Sequence, residues 1–340
     1  MKAVTKDDWR ELTELEQNQI AEQIVERWRK RGFPHYDFSL DKRINHFGTF
    51  QKFDRSHLLK DGIVGQTLHA LGLVWTYFPH HWSIKTGKML TPMEVWESDE
   101  LFLKAIKSRA RWGGFNFTDG KPDMSESYVR KALRTYSGTQ RVSNFRPSAA
   151  AIIYDTFSEG VVWDMSCGFG GRLLGAIVSS KVDTYIGTDP SEKTYIGLLR
   201  LKEDFAYRTK TKVELHKLGS EIFQPEKNSL NLCFTSPPYF NTEKYADEPT
   251  QSFIKFDNIE IWNEGFLRQT IKNARYGLKT NGHLILNVAN TKTHKTLEID
   301  TIKIAQEEGF VLTTTLQLAL SSINRGGHKY EPIFIFRRAK

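Results

Sequence analysis

Gly160-Val161-Val162-Trp163-Asp164-Met165-Ser166-Cys167-Gly168-Phe169-Gly170-Gly171-Arg172 reads as a short buried strand that runs straight into a glycine-rich turn and opens a helix. The strand is apolar without alternation, the pattern of a strand covered on both faces. Glycines at such a turn let a ligand approach the backbone where a side chain would block it. They also serve close helix–sheet packing, and the turn alone does not choose between the two. The three-glycine dinucleotide spacing and the Gly-Lys-Ser/Thr of a phosphate loop are both absent.

Downstream, a second strand over Asp183 to Asp189 closes on Gly187-Thr188-Asp189-Pro190. Asp189 thus follows the turn by about twenty residues, the place where an acidic side chain meets ribose hydroxyls in such folds. A helix from Glu192 to Arg208, a strand around Val213 to Leu215 and the loop Gly219-Ser220-Glu221 come next. The apolar run Leu230 to Phe234 then ends in Thr235-Ser236-Pro237-Pro238-Tyr239. Adjacent prolines lack backbone donors and fix their own φ, so the strand stops there in a stiff loop. That loop sits at a strand's carboxyl end, the edge where open α/β sheets bind ligands.

Helices over Pro147 to Phe157, Ile259 to Tyr276 and Leu297 to Glu308, a strand over Gly282 to Val288, and two hairpin-related strands, Phe310 to Leu318 and Pro332 to Arg338, complete the alternation. Strands alternating with helices predict an α/β fold, a doubly wound, mostly parallel, Rossmann-like sheet with an antiparallel edge.

The first 140 residues have a different texture. Residues 1–31 have a helical period ending in Arg27-Trp28-Arg29-Lys30-Arg31-Gly32, and Met93 to Ala110 and Ser125 to Tyr136 also read as helices. Between them, rings and histidines are dense, as in Trp75-Thr76-Tyr77-Phe78-Pro79-His80-His81-Trp82. Such rings pack a small core or stack on bases, and both readings stay open. A boundary near residue 140 divides a mainly helical domain, 1–140, from an α/β domain, 141–340. The net charge of +8 is uneven, with 24 Lys and Arg against 18 Asp and Glu in residues 1–150. A basic region suits nucleic acid, though ordinary solubility explains it equally well.

Two cysteines, Cys167 and Cys233, make neither a disulfide framework nor a zinc cluster, and His80-His81 has no third ligand at a recognisable spacing. No metal is expected. The lack of a long apolar run and the charged start point to a cytoplasmic protein without membrane contact.

Asp164-Met165-Ser166-Cys167-Gly168-Phe169-Gly170, followed by Thr235-Ser236-Pro237-Pro238-Tyr239, resembles the S-adenosylmethionine-dependent DNA amino-methyltransferases over residues 140–340. The resemblance implies a seven-stranded methyltransferase sheet, S-adenosylmethionine as cofactor and DNA as the partner. The Ser-Pro-Pro-Tyr form is most similar to the cytosine-N4 enzymes. The order of the two motifs leaves adenine N6 open, and an RNA base, or a nucleic-acid-binding protein without catalysis, are further alternatives.

Carried over to this sequence, the resemblance implies that Phe145, Arg146 and Pro147 close over the methionine end of the cofactor. Asp164, Ser166, Gly168 and Gly170 would line that end, Asp189 the ribose and Pro190 the adenine face. Ser220 or Glu221 would stand near the adenine amine. Ser236, Pro237, Pro238 and Tyr239 would carry the chemistry. The base-flipping expected for a duplex substrate costs about a few kcal/mol. Ring-carbon methylation would need a cysteine in this loop, and Cys233 lies upstream on the strand. The polar stretch Asn241 to Ser252 is a candidate lid over the base, and Arg325 to Pro332 a candidate basic loop at the phosphate backbone. Oligomeric state is not specified by any of these features.

Overall fold

The computed structural model describes residues 4–323 and 327–339. The chain forms two compact units, and the division differs from a single cut near residue 140. One unit comprises residues 1–37 and 79–142, the other residues 38–78 and 143–340.

The first unit is mainly helical. Its opening helical period breaks at Leu12, because Thr5 and Thr13 each form a capping box, with Asp8 and Glu16 respectively, giving helices Lys6–Glu11 and Glu14–Arg31. These pack with Asp99–Ala110, Glu126–Thr135 and a hairpin of Phe115–Thr118 with Lys121–Met124. Trp9, Trp28, Phe102 and Phe115 fill the core. Trp28 Nε1 donates to the Met124 carbonyl at 3.0 Å. The basic turn at the end of Glu14–Arg31 is engaged internally. Arg31 grips Asp123 through two bonds of 2.8 and 2.7 Å, Arg29 meets Asp99 at 2.7 Å and Lys30 meets Glu26 at 2.6 Å. Among the dense rings, Tyr36 stacks on Trp82 at 5.9 Å and His81 is fully buried.

The second unit is built on one sheet. Its strands in chain order are β1 (Leu59–Lys60), β2 (Ile63–Val64), β3 (Gly160–Asp164), β4 (Val182–Thr188), β5 (Lys212–His216), β6 (Leu230–Thr235), β7 (Leu278–Asn287), β8 (Phe310–Ile323) and β9 (Gly327–Arg338). The spatial order is β1-β2-β8-β9-β7-β6-β3-β4-β5. Neighbours from β7 to β5 run parallel, while β9 is antiparallel to both β7 and β8. The sheet is thus the expected doubly wound α/β sheet with an antiparallel edge. It carries nine strands rather than seven, because β1 and β2 arise in a stretch without a clean period and extend the edge through Gln317↔Ile63 and Leu318↔Val64.

The order of strand addition reverses between β3 and β6, since β4 and β5 are added on one side and β6 on the other, all of them parallel. This is the topological switch point, where a crevice opens beyond the strands' carboxyl ends. The helix expected over 259–276 is interrupted by a π-helical turn, Asn263–Arg268. Segment 71–78 packs beneath the glycine turn, with Trp75 5.3 Å and Phe78 5.7 Å from the Phe169 ring. Arg325 and Gly326 of the expected basic loop lie outside the described residues. No described helix is long and apolar enough to cross a membrane.

Candidate active site

The ends of β3 and β6 deliver the glycine turn and the Ser-Pro-Pro-Tyr turn to one cavity of about 270 Å³. Phe145, Ser166, Gly168, Asp189, Pro190, Ser220, Glu221, Ser236, Pro237, Pro238 and Tyr239 all line it. Residues separated by some ninety positions in sequence share one cavity because a crevice opens at the sheet's switch point. Arg146, Pro147, Asp164 and Gly170 do not line it.

Each of these four has a structural task instead. Pro147 occupies the first turn of its helix, with Arg146 as N-cap. Asp164 is fully buried, accepting from Arg172 Nε at 2.9 Å, the Tyr185 hydroxyl at 2.7 Å and the Ser166 amide at 3.3 Å. Arg172 in turn donates to the Ser166 carbonyl. The pair therefore holds the turn from beneath. Gly170 adopts φ +67° at the N-cap of helix Gly171–Val178, a backbone geometry that side chains disfavour.

The adjoining Gly171 explains why the helix opens on a second glycine. A Cβ there would stand 1.8 Å from the Phe145 carbonyl. Gly171→Ala should lower the thermal midpoint and open the cavity wall at Phe145, although alanine favours a helix by about 1 kcal/mol. A variant as stable as the parent in a melting experiment would contradict this packing.

Asp189, expected from the sequence to meet a ribose, is buried and lines the cavity. Its carboxylate accepts from the Gly168 amide at 2.9 Å and the Ser191 amide at 3.0 Å. Burial nevertheless dominates and pushes its pKa up from 3.8 to about 7. A carboxyl raised on folding destabilises the folded state above its folded pKa, and the cost fades as pH falls toward the unfolded value. Wild type should therefore gain on Asp189→Asn by about 1.4 kcal/mol per pH unit on acidification from about pH 7 to pH 5. Urea unfolding at both pH values checks the sign, and a pH-independent difference would refute it.

At the other wall, the Tyr239 hydroxyl lies 3.3 Å from Ser236 Oγ and 3.2 Å from the Asn287 carbonyl. The tyrosine donates to the carbonyl, so the serine hydroxyl donates to the tyrosine oxygen. Serine then keeps its lone pairs for an incoming N–H. Burial raises the Tyr239 pKa, so the phenol stays neutral. Cys233 is wholly buried on β6 and its thiol is raised by that burial, which removes it as a nucleophile.

Sequence reasoning missed Glu243, Tyr245, Asn287 and Glu331 as cavity residues. Burial raises the carboxyls of Glu243 and Glu331, and the Tyr245 hydroxyl donates to Glu243. Glu243 and Tyr245 fell within the polar stretch read as a lid, and Glu331 within the basic loop. Their charge type gave no periodic signal.

A scan against protein-family models finds no match, and neither does a search of curated proteins. Among solved structures, the chain is similar to the N-methyltransferase NodS from Bradyrhizobium japonicum WM9, at 11% identity and TM-score 0.40 over 55% of this chain and 90% of that one. A SAM-dependent methyltransferase from Methanosarcina mazei matches at 12% identity and TM-score 0.38, over 55% of this chain and 97% of that one. A methyltransferase from Pyrococcus furiosus matches at 14% and 0.39, over 57% and 83%. Likenesses this distant carry no weight for activity, which rests on the site itself.

Proposed function

We propose that this chain is an S-adenosylmethionine-dependent methyltransferase acting on the exocyclic amine of a DNA base, cytosine N4 in the first place and adenine N6 in the second. One observation carries the reading: the glycine turn with Asp189 and the Ser-Pro-Pro-Tyr turn line one and the same cavity.

The residues present fit the cofactor. Asp189 offers a buried carboxylate for ribose hydroxyls, and Phe145, Ser166 and Gly168 form the wall beside it. When bound, S-adenosylmethionine supplies the methyl group from its sulfonium.

The chain's own contribution is orientation. An amine conjugated to its ring is a poor nucleophile until its lone pair leaves conjugation. Ser236 Oγ and the Pro237 carbonyl accept the two amine hydrogens and turn that lone pair toward the methyl donor. That lone pair would take the methyl group from the bound cofactor, which leaves as the neutral thioether, and the methylated nitrogen would lose one proton to water or a nearby carboxylate. The two prolines keep these acceptors from drifting.

Incubation of the protein with DNA and labelled S-adenosylmethionine, followed by nucleoside mass spectrometry, tests the assignment. N4-methylcytosine is expected. N6-methyladenine would select the second reading, and label confined to RNA would overturn the DNA assignment.

A further inference from the structure

Gln251 is 5% exposed, lines the cavity, and its Nε2 has no hydrogen-bond partner. Among the described residues lining the cavity, it is the one buried side-chain nitrogen or oxygen left unpaired. A buried amide without a partner costs roughly 1–3 kcal/mol, so a group of this kind, facing a cavity, marks where a ligand supplies the missing acceptor.

Its neighbours say which part of the cavity this is. The Gln251 backbone N–H donates to the Glu248 carbonyl at 3.0 Å, and the Glu248 carboxylate accepts from the Glu192 backbone N–H at 3.2 Å. Thr250 Oγ1 donates to the Pro190 carbonyl at 3.4 Å. Lys255 pairs with Glu221. The segment 248–255 is thus tied to the ends of β4 and β5, on the Asp189 side of the cavity. The side chains already standing there are spent: Ser220 Oγ is 2.8 Å from Thr270 Oγ1, and Glu221 is held by Lys255.

We infer that Gln251 reads the adenine of the cofactor, and that segment 248–255 covers the cofactor's nucleoside half. This rests on the proposed use of S-adenosylmethionine. The amide of Gln251 gives Nε2 as donor to an adenine ring nitrogen and its oxygen as acceptor for the 6-amino group, a complementary pair. Ser220 and Glu221, the residues expected from the sequence to meet the adenine amine, shape the floor beneath it.

The test is calorimetric and needs no turnover. Binding of S-adenosylhomocysteine and of its analogue lacking the 6-amino group is measured for wild type and Gln251→Ala, with a thermal melt on each. Gln251→Ala should bind S-adenosylhomocysteine about tenfold more weakly. Without the 6-amino group the Gln251 oxygen loses its donor, so wild type should bind the analogue about tenfold more weakly than S-adenosylhomocysteine, whereas Gln251→Ala, which makes neither bond, should bind the two alike. A merely structural glutamine would weaken both ligands together. A ratio of the two dissociation constants in Gln251→Ala equal to that in wild type, with wild type binding S-adenosylhomocysteine, overturns this assignment alone. Wild type failing to bind S-adenosylhomocysteine would overturn the methyltransferase reading and this one with it.

Discussion

Replacing Arg172 by leucine is expected to destabilise the protein by about 3–5 kcal/mol, because it leaves the Asp164 carboxylate charged and buried without its partner. Asp164 and Arg172 side chains are 0% and 5% exposed, so solvent does not compensate. The same guanidinium holds the Ser166 carbonyl, so the glycine turn loses its anchor as well. Chemical denaturation should show an earlier midpoint with an unchanged slope. Combining Arg172→Leu with Asp164→Asn removes the orphaned charge while keeping the acceptor for Tyr185. It should recover roughly half of the loss, since a neutral buried acceptor costs less than a charged one. A single variant as stable as wild type would show that the pair does not support the turn.

The second large effect falls on catalysis and spares the fold. Ser236→Ala removes the side-chain acceptor for an amine hydrogen, and kcat should drop by about 10²–10³, the scale for losing one oriented hydrogen-bond partner at a reacting centre. Affinity for S-adenosylhomocysteine should stay within about twofold, because Ser236 stands on a different turn from Asp189 and shares no hydrogen-bond partner with it. Tyr239→Phe leaves the ring but frees the serine hydroxyl from the Tyr239–Asn287 chain, so kcat should fall by a smaller factor, about tenfold. Replacing all four residues Ser236 to Tyr239 by alanine should abolish methyl transfer with cofactor binding retained. Transfer surviving in that variant would refute the site.

The α/β half was legible because its signals are local. A glycine turn after Trp163-Asp164 and a double proline after Phe234-Thr235 mark strand ends whatever surrounds them. Their meeting at one crevice follows from strand order, which right-handed crossovers restrict. What sequence did not disclose depends on partners distant in the chain. Asp164 reads as a ligand until Arg172 and Tyr185 are seen to consume its oxygens. Asn287 reaches the cavity through pairing of β7 with β6, and Glu331 through pairing of β9 with β7. The segment 38–78 has no clean period because its short elements pack through irregular aromatic contacts, so nothing local attached it to residues 143–340.

That attachment bears on the order of synthesis. Trp75 and Phe78 leave the ribosome well before Phe169 and the helix they support, and residues 79–142 are made in between. Contacts so far apart in sequence form late. The nascent chain must keep two large apolar rings from sticking elsewhere while the first unit, whose last helix ends at Thr135, completes its own core. Slowing or removing that intervening fold would leave the glycine turn without its underlay, and the yield of soluble protein would register the loss before any assay of activity did.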